Sequence, residues 1–81
     1  MKVKVRFFAA MREAIGRTEV ALELSPGTTV QQLTELIAER YPVLCPHLSA
    51  ALVAVNRRYA LPDTGLHDGD EVAFVPPLGG G

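Results

Sequence analysis

No segment of the chain approaches the ~20 consecutive apolar residues needed to span a bilayer. No basic start followed by an apolar stretch marks a secretory leader; residues 2–8 instead alternate charged and apolar side chains, the pattern of a strand. A single cysteine, Cys45, excludes an internal disulfide and suits a reducing compartment. Neither sign of charge dominates: eight Lys+Arg stand against nine Asp+Glu, a net charge of −1, so no basic field exists to hold a nucleic acid. Repeats and low-complexity segments are missing apart from the terminal glycines. These absences leave a soluble cytoplasmic domain, with neither a membrane nor a nucleic acid as partner, as the expectation.

What remains is sufficient for one small fold. Eighty-one residues, 48% of them hydrophobic, support a single domain over 1–81 with one core and modest stability. In the first strand Val3, Val5 and Phe7 face one way, while Lys2, Lys4, Arg6 and Phe8 face the other. Residues 9–15 read as a short helix stopped by Gly16, which suits the left-handed position that ends helices. A second strand over 18–24 puts Thr18, Val20, Leu22 and Leu24 on one face. Ser25, Pro26 and Gly27 make a turn, and Thr28 and Thr29 offer capping hydroxyls, with Gln31 or Gln32 placed to complete a capping box.

The main helix, about 29–41, aligns Val30, Leu33, Ile37 and Tyr41 in one stripe flanked by Leu36, and Pro42 ends it. Residues 43–51 are irregular with at most one turn of helix. Two short strands, 52–56 and 59–61, flank Arg57 and Arg58, and Asp68-Gly69-Asp70 turns the chain into a last strand at 71–75. This order predicts an α+β grasp-like roll: a mixed sheet with one main helix on one face. The opposite face must be wet or meet a partner. Strand parity puts Phe8 and Val75 on it, with Tyr59 joining them, as an apolar patch for protein docking. Arg12, Arg57 and Arg58 are either rim cations for an acidic partner or simply solvated.

Beyond the last strand come Pro76 and Pro77, which stiffen the exit, then Leu78, Gly79, Gly80 and Gly81. Glycines without Cβ pass through channels that other residues cannot enter, so this tail is expected to be mobile until a partner binds it. The α-carboxylate at its end is anionic at pH 7 and a usable nucleophile toward phosphorus.

These features carry a family resemblance. The run from Phe7 to Glu13, the segment Val53 to Asn56, and above all Leu66 to Gly81 with its Asp-Gly-Asp-Glu-Val, Pro-Pro and Gly-Gly elements, resemble the MoaD/ThiS ubiquitin-like sulfur carriers. The short helix after strand one and the Pro-Pro pair resemble the molybdopterin synthase small-subunit type. A triple-glycine end is more typical of the thiamine carriers.

The resemblance implies a ubiquitin-like β-grasp and a carrier that is not catalytic alone. It implies that Gly81, behind Gly80, is adenylated by a ubiquitin-activating-type (MoeB-like) adenylyltransferase that consumes ATP, and is then thiocarboxylated from a sulfur donor protein. Leu78 and Gly79 would sit in a partner's channel. The large (MoaE-like) synthase subunit would use the delivered sulfur to convert cyclic pyranopterin monophosphate to its dithiolene. Phe8, Tyr59 and Val75 would contact the partners, to which the reading of the residues adds Arg12 at the rim, and no cofactor or metal is expected in the chain itself. The neighbouring alternatives are sulfur carriage for thiamine, cysteine or transfer-RNA thiolation, or conjugation to lysines as a modifier.

The remaining reactive side chains have ordinary explanations. Cys45, between Leu44 and Pro46 with no helix N-terminus evident nearby, is expected to be a buried or half-buried structural thiol. His47 and His67 are too few and too separate for a metal site. Asp68, Asp70 and Glu71 fit turn chemistry better than cation binding.

Overall fold

The computed structural model describes residues 1–77; the expectations for Leu78, Gly79, Gly80 and Gly81, a mobile tail among them, fall outside the described residues. Alternating side chains build β1 (Lys2–Phe7), which forms an antiparallel hairpin with β2 (Glu19–Glu23). Between them α1 (Ala9–Ile15) ends at Gly16, whose φ of 68° is the left-handed value anticipated for it. The expected strand at residue 8 stops one residue early. Phe8 remains extended as the N-cap of α1, and Ala9 turns the chain with a φ of 51°.

The main helix α2 (Val30–Arg40) opens on a capping box. The Thr29 hydroxyl accepts from the Gln32 amide at 3.2 Å, and the Gln32 side chain accepts from the Thr29 amide at 3.0 Å. Gln32, not Gln31, is thus the residue that closes it. Val30, Leu33 and Ile37 are buried on one face, and Tyr41 caps the end before Pro42. A 3₁₀ turn (Pro42–Leu44) and the four-residue α3 (Cys45–Leu48) then carry Leu44 and Leu48 into the core.

β3 (Leu52–Val55), β4 (Arg58–Tyr59) and β5 (Glu71–Val75) complete a five-stranded sheet in the order β2-β1-β5-β3-β4. β5 runs parallel to β1 and antiparallel to β3, so the first and last strands sit side by side at the centre. This mixed sheet with one helix on one face is the expected ubiquitin-like β-grasp roll. Parity holds across the register. Val5 pairs with Val20 and Val72, and Phe7 with Phe74, all buried beneath α2. The Phe7 and Phe74 rings stack with centroids 6.1 Å apart, and Tyr41 meets Phe7 edge-on at 6.3 Å.

One hairpin differs from expectation. Strand β4 begins at Arg58 because the turn is Asn56-Arg57 rather than Arg57-Arg58. Both turn residues take left-handed φ, 51° and 70°, as a two-residue hairpin turn demands. The asparagine side chain secures this turn. Its Nδ2 donates to Asp70 Oδ1 at 2.9 Å, and its Oδ1 accepts from the Glu71 amide at 3.0 Å. Asp70, only 9% exposed, also accepts from the His67 amide through Oδ2 at 2.8 Å. Asp68 accepts from the Lys2 amide at 2.7 Å, and Gly69, at a φ of 87°, donates to the Lys2 carbonyl at 2.8 Å. The Asp-Gly-Asp run is therefore a clasp joining the start of β1 to the start of β5.

Asn56→Ala removes both side-chain bonds and puts at a φ of 51° a residue that tolerates the left-handed region less well than asparagine. The urea midpoint is expected to fall by an amount equivalent to about 2 kcal/mol, with an unchanged slope. An unchanged midpoint would show that the clasp does not hold the hairpin.

Candidate docking face and tail root

The sheet has one face beneath α2 and one that α2 leaves uncovered. Across the uncovered face the register aligns Glu19, Arg6, Ala73, Ala54 and Tyr59 in one row, and Val75 with Leu52 in the next. Phe8 and Val75 each lie one residue past the buried Phe7–Phe74 pair, so both turn to this outer side. The small side chains Ala54 and Ala73 leave a shallow floor between larger apolar neighbours. Tyr59 is 65% exposed and Leu52 40%, while Phe8 and Val75 are half-buried. For so small a domain this is a continuous apolar surface of the kind that marks docking sites.

Charge borders it on the β1–β2 side. Arg6 Nη1 lies 3.6 Å from Glu71 Oε1, and its guanidinium carbon stands 5.4 Å from the Phe8 ring centroid. That distance is within cation–π range and ties the guanidinium to the aromatic. Lys2, Lys4, Glu19 and Glu23 continue the polar part of the face. The surface thus grades from charged, over β2 and the start of β1, to apolar where β1 and β5 end.

The tail leaves from that apolar end. Because β1 and β5 are parallel, the end of β5 lies beside the start of α1. Pro76 and Pro77 there share a groove of about 160 Å³ with Phe8, Met11, His47 and Ala50. Whatever follows Pro77 therefore departs at the rim of the apolar patch.

Of the anticipated contact residues, Phe8, Tyr59 and Val75 lie on this face. Arg12 is not in these rows. It is exposed on α1 and forms no ion pair among the described residues. Strand parity turns Arg6 and Ala73 to this side without singling them out as contacts, and sequence reasoning missed Leu52 and Ala54. Parity within each strand was the available signal for all four, but only the β3–β5 register shows that Leu52 stands directly against Val75.

Cys45 requires a correction. The thiol expected to be buried or half-buried belongs to an exposed residue, and it opens the short helix α3. The reason is helical spacing. Leu44 and Leu48, four residues apart, take the inward face, and Cys45 is rotated toward solvent. Among the described residues no three His, Cys, Asp or Glu side chains gather as a metal site. No helix among them is long and apolar enough to cross a membrane.

The model of the ThiS family matches residues 5–81. A molybdopterin synthase sulfur carrier subunit of Mycobacterium tuberculosis is 42% identical, the alignment covering 100% of this chain and 99% of the relative. A solved Pyrococcus furiosus protein described as a putative molybdopterin converting factor, subunit 1, is 35% identical. It superposes with a TM-score of 0.87 over 96% of this chain and 99% of its own. Subunits 1 and 2 of the Helicobacter pylori molybdopterin-converting factor have been solved as a complex; the matching chain is 27% identical with a TM-score of 0.73, each chain being covered completely.

The exposure of Cys45 has a direct check. A thiol reagent should modify the native protein stoichiometrically without denaturant, and Cys45→Ser should abolish the reaction. Modification only after unfolding would mean that the thiol is enclosed.

Proposed function

The chain belongs to the ThiS/MoaD family, and on that footing we propose that it is the sulfur-carrying small subunit of molybdopterin synthase. The observation that carries this reading is the full-length match to proteins named as that subunit. The tail root, standing at the rim of an exposed apolar face, supports it. In this reading the Gly81 carboxylate attacks the α-phosphorus of ATP inside an adenylyltransferase, and pyrophosphate leaves. Hydrosulfide then attacks the acyl carbon and AMP departs, leaving a terminal thiocarboxylate. When the sulfur arrives as a donor protein's persulfide, the attack gives an acyl disulfide, and a second thiol reduces it, releasing the thiocarboxylate and forming a disulfide with the donor. Activation is required because a carboxylate oxygen is a poor leaving group until it is joined to phosphate.

The charged tail next enters the large synthase subunit, with Leu78 and Gly79 in the channel and Gly80 and Gly81 at the reacting end. Sulfur passes to cyclic pyranopterin monophosphate, and the tail returns as carboxylate. Two sulfurs make a dithiolene, so two charged carriers are consumed for each product. The described part of the chain contributes recognition: Phe8, Leu52, Val75 and Tyr59 offer an apolar surface to each partner in turn. Acid–base chemistry at the acceptor falls to the large subunit. The setting is the cytoplasm, where a free thiol such as Cys45 persists.

Incubation with ATP, the adenylyltransferase and a sulfide source should raise the intact mass by the difference between sulfur and oxygen. Deleting Gly81 should abolish the gain. An unchanged mass, with an enzyme proved active on another carrier, would overturn the proposal.

A further inference from the structure

The apolar surface does not end at the sheet. Among the described residues four large hydrophobics are conspicuously exposed, and three of them, Leu52, Tyr59 and Leu61, lie along the β3–β4 margin. Leu61 is 71% exposed, the highest value of the four, and lies two residues past β4, beyond the face outlined above. Beneath it Tyr59, Leu61, Arg58, Gly65 and His67 help to line an open concavity of about 500 Å³. The acid in its wall, Asp70, is engaged through both oxygens by Asn56 and the His67 amide. Arg57 and Arg58, at the tip of the hairpin, are exposed and form no ion pair among the described residues. The apolar ledge of Tyr59 and Leu61 is therefore continuous with Leu52, which abuts Val75, while Arg57 and Arg58 stand at its far end, where the hairpin turns at the margin opposite the tail root.

We propose that the docking face turns round the β4 edge, where Leu61 and the Arg57-Arg58 pair receive an apolar ridge bordered by carboxylates on the protein that accepts the tail's sulfur. This rests on the reading of the chain as a sulfur carrier. Size supports it, since a stable interface takes about 800 Å² from each partner. A floor of two alanines with four larger neighbours is narrower than that, and a partner seated over Val75 that extends across the sheet past its register neighbour Leu52 meets β4 next. Charge fixes the chemistry of the occupant. Two arginines beside a desolvated apolar centre favour carboxylates at the partner's rim and repel a basic surface. The edge strand spans only two residues, so side chains rather than added strand pairing carry the contact.

The test is calorimetric titration of the full chain into the large synthase subunit at low and at moderate salt. Two variants are compared with the unaltered chain: Leu61→Ser, and Arg57→Gln combined with Arg58→Gln. The altered side chains are exposed, so both variants should keep the original unfolding midpoint. Leu61→Ser should weaken binding at least about fivefold at either salt. The arginine replacements should weaken it several-fold at low salt and converge on the unaltered chain as salt rises. Binding within about twofold of the unaltered chain by either variant, under both conditions, overturns the inference. Failure of the unaltered chain to bind at all would instead count against the proposed function, which the mass measurement tests independently.

Discussion

The parallel pairing of β1 with β5 is the constraint on which the rest depends. It joins the two ends of the chain at the centre of the sheet, stacks Phe7 on Phe74 in the core, and makes both strands end at the same margin. Without it Phe8 and Val75 would not be neighbours, and the segment beginning at Pro76 would leave the domain elsewhere. Parallel strands need a long connection between them. Here that connection contains nearly every other element, so the pairing closes the whole fold. The clasp from Asp68, Gly69 and Asp70 to Lys2 and Asn56 secures the opposite margin.

The central pairing also separates the labour of the two sheet faces. One carries Val3, Val5, Phe7, Val72 and Phe74 into a core completed by α2, and these positions hold the domain together. The other is free to be shaped for recognition, because little stability is lost by exposing Ala54 and Ala73. A carrier that serves an activating enzyme and an acceptor in turn, as proposed for this chain, needs such a surface. It must be apolar enough to bind, and limited enough to release one partner before the next. Its gradient from the Glu19, Lys4 and Arg6 side toward Leu52 and Tyr59 also orients the domain, so that the tail root points into whatever covers the apolar end.

Local chemistry made much of this legible in the sequence. Period-two alternation located β1, β2 and β5, the Thr29 capping signal and Pro42 bracketed α2, and Gly16 stopped α1. Parity alone assigned Phe8 and Val75 to the outer face, while Tyr59 is fixed there by its pairing with Ala54. The hairpin turn and Leu52 share a physical cause of failure, dependence on contacts between residues distant in sequence; Cys45 differs. The turn at Asn56-Arg57 is fixed by bonds to Asp70 and Glu71; asparagine's tolerance of left-handed φ is a local signal for it, but the partners that secure it lie 14 and 15 residues away. Leu52 joins the site only through its register with Val75. Cys45 was misjudged because the inward positions of Leu44 and Leu48 become evident only once the 3₁₀ turn and α3 are in place.

The central claim is that the sheet face opposite α2, around the end of β5, presents the tail to the sulfur-accepting partner. Backbone amide shifts of the labelled chain, recorded as the large synthase subunit is added, test it most directly. The account predicts changes concentrated at Phe8, Leu52, Ala54, Tyr59, Ala73 and Val75, with α2 from Val30 to Arg40 nearly unaffected. Changes centred on the exposed side of α2, with the outer sheet face silent, would contradict it.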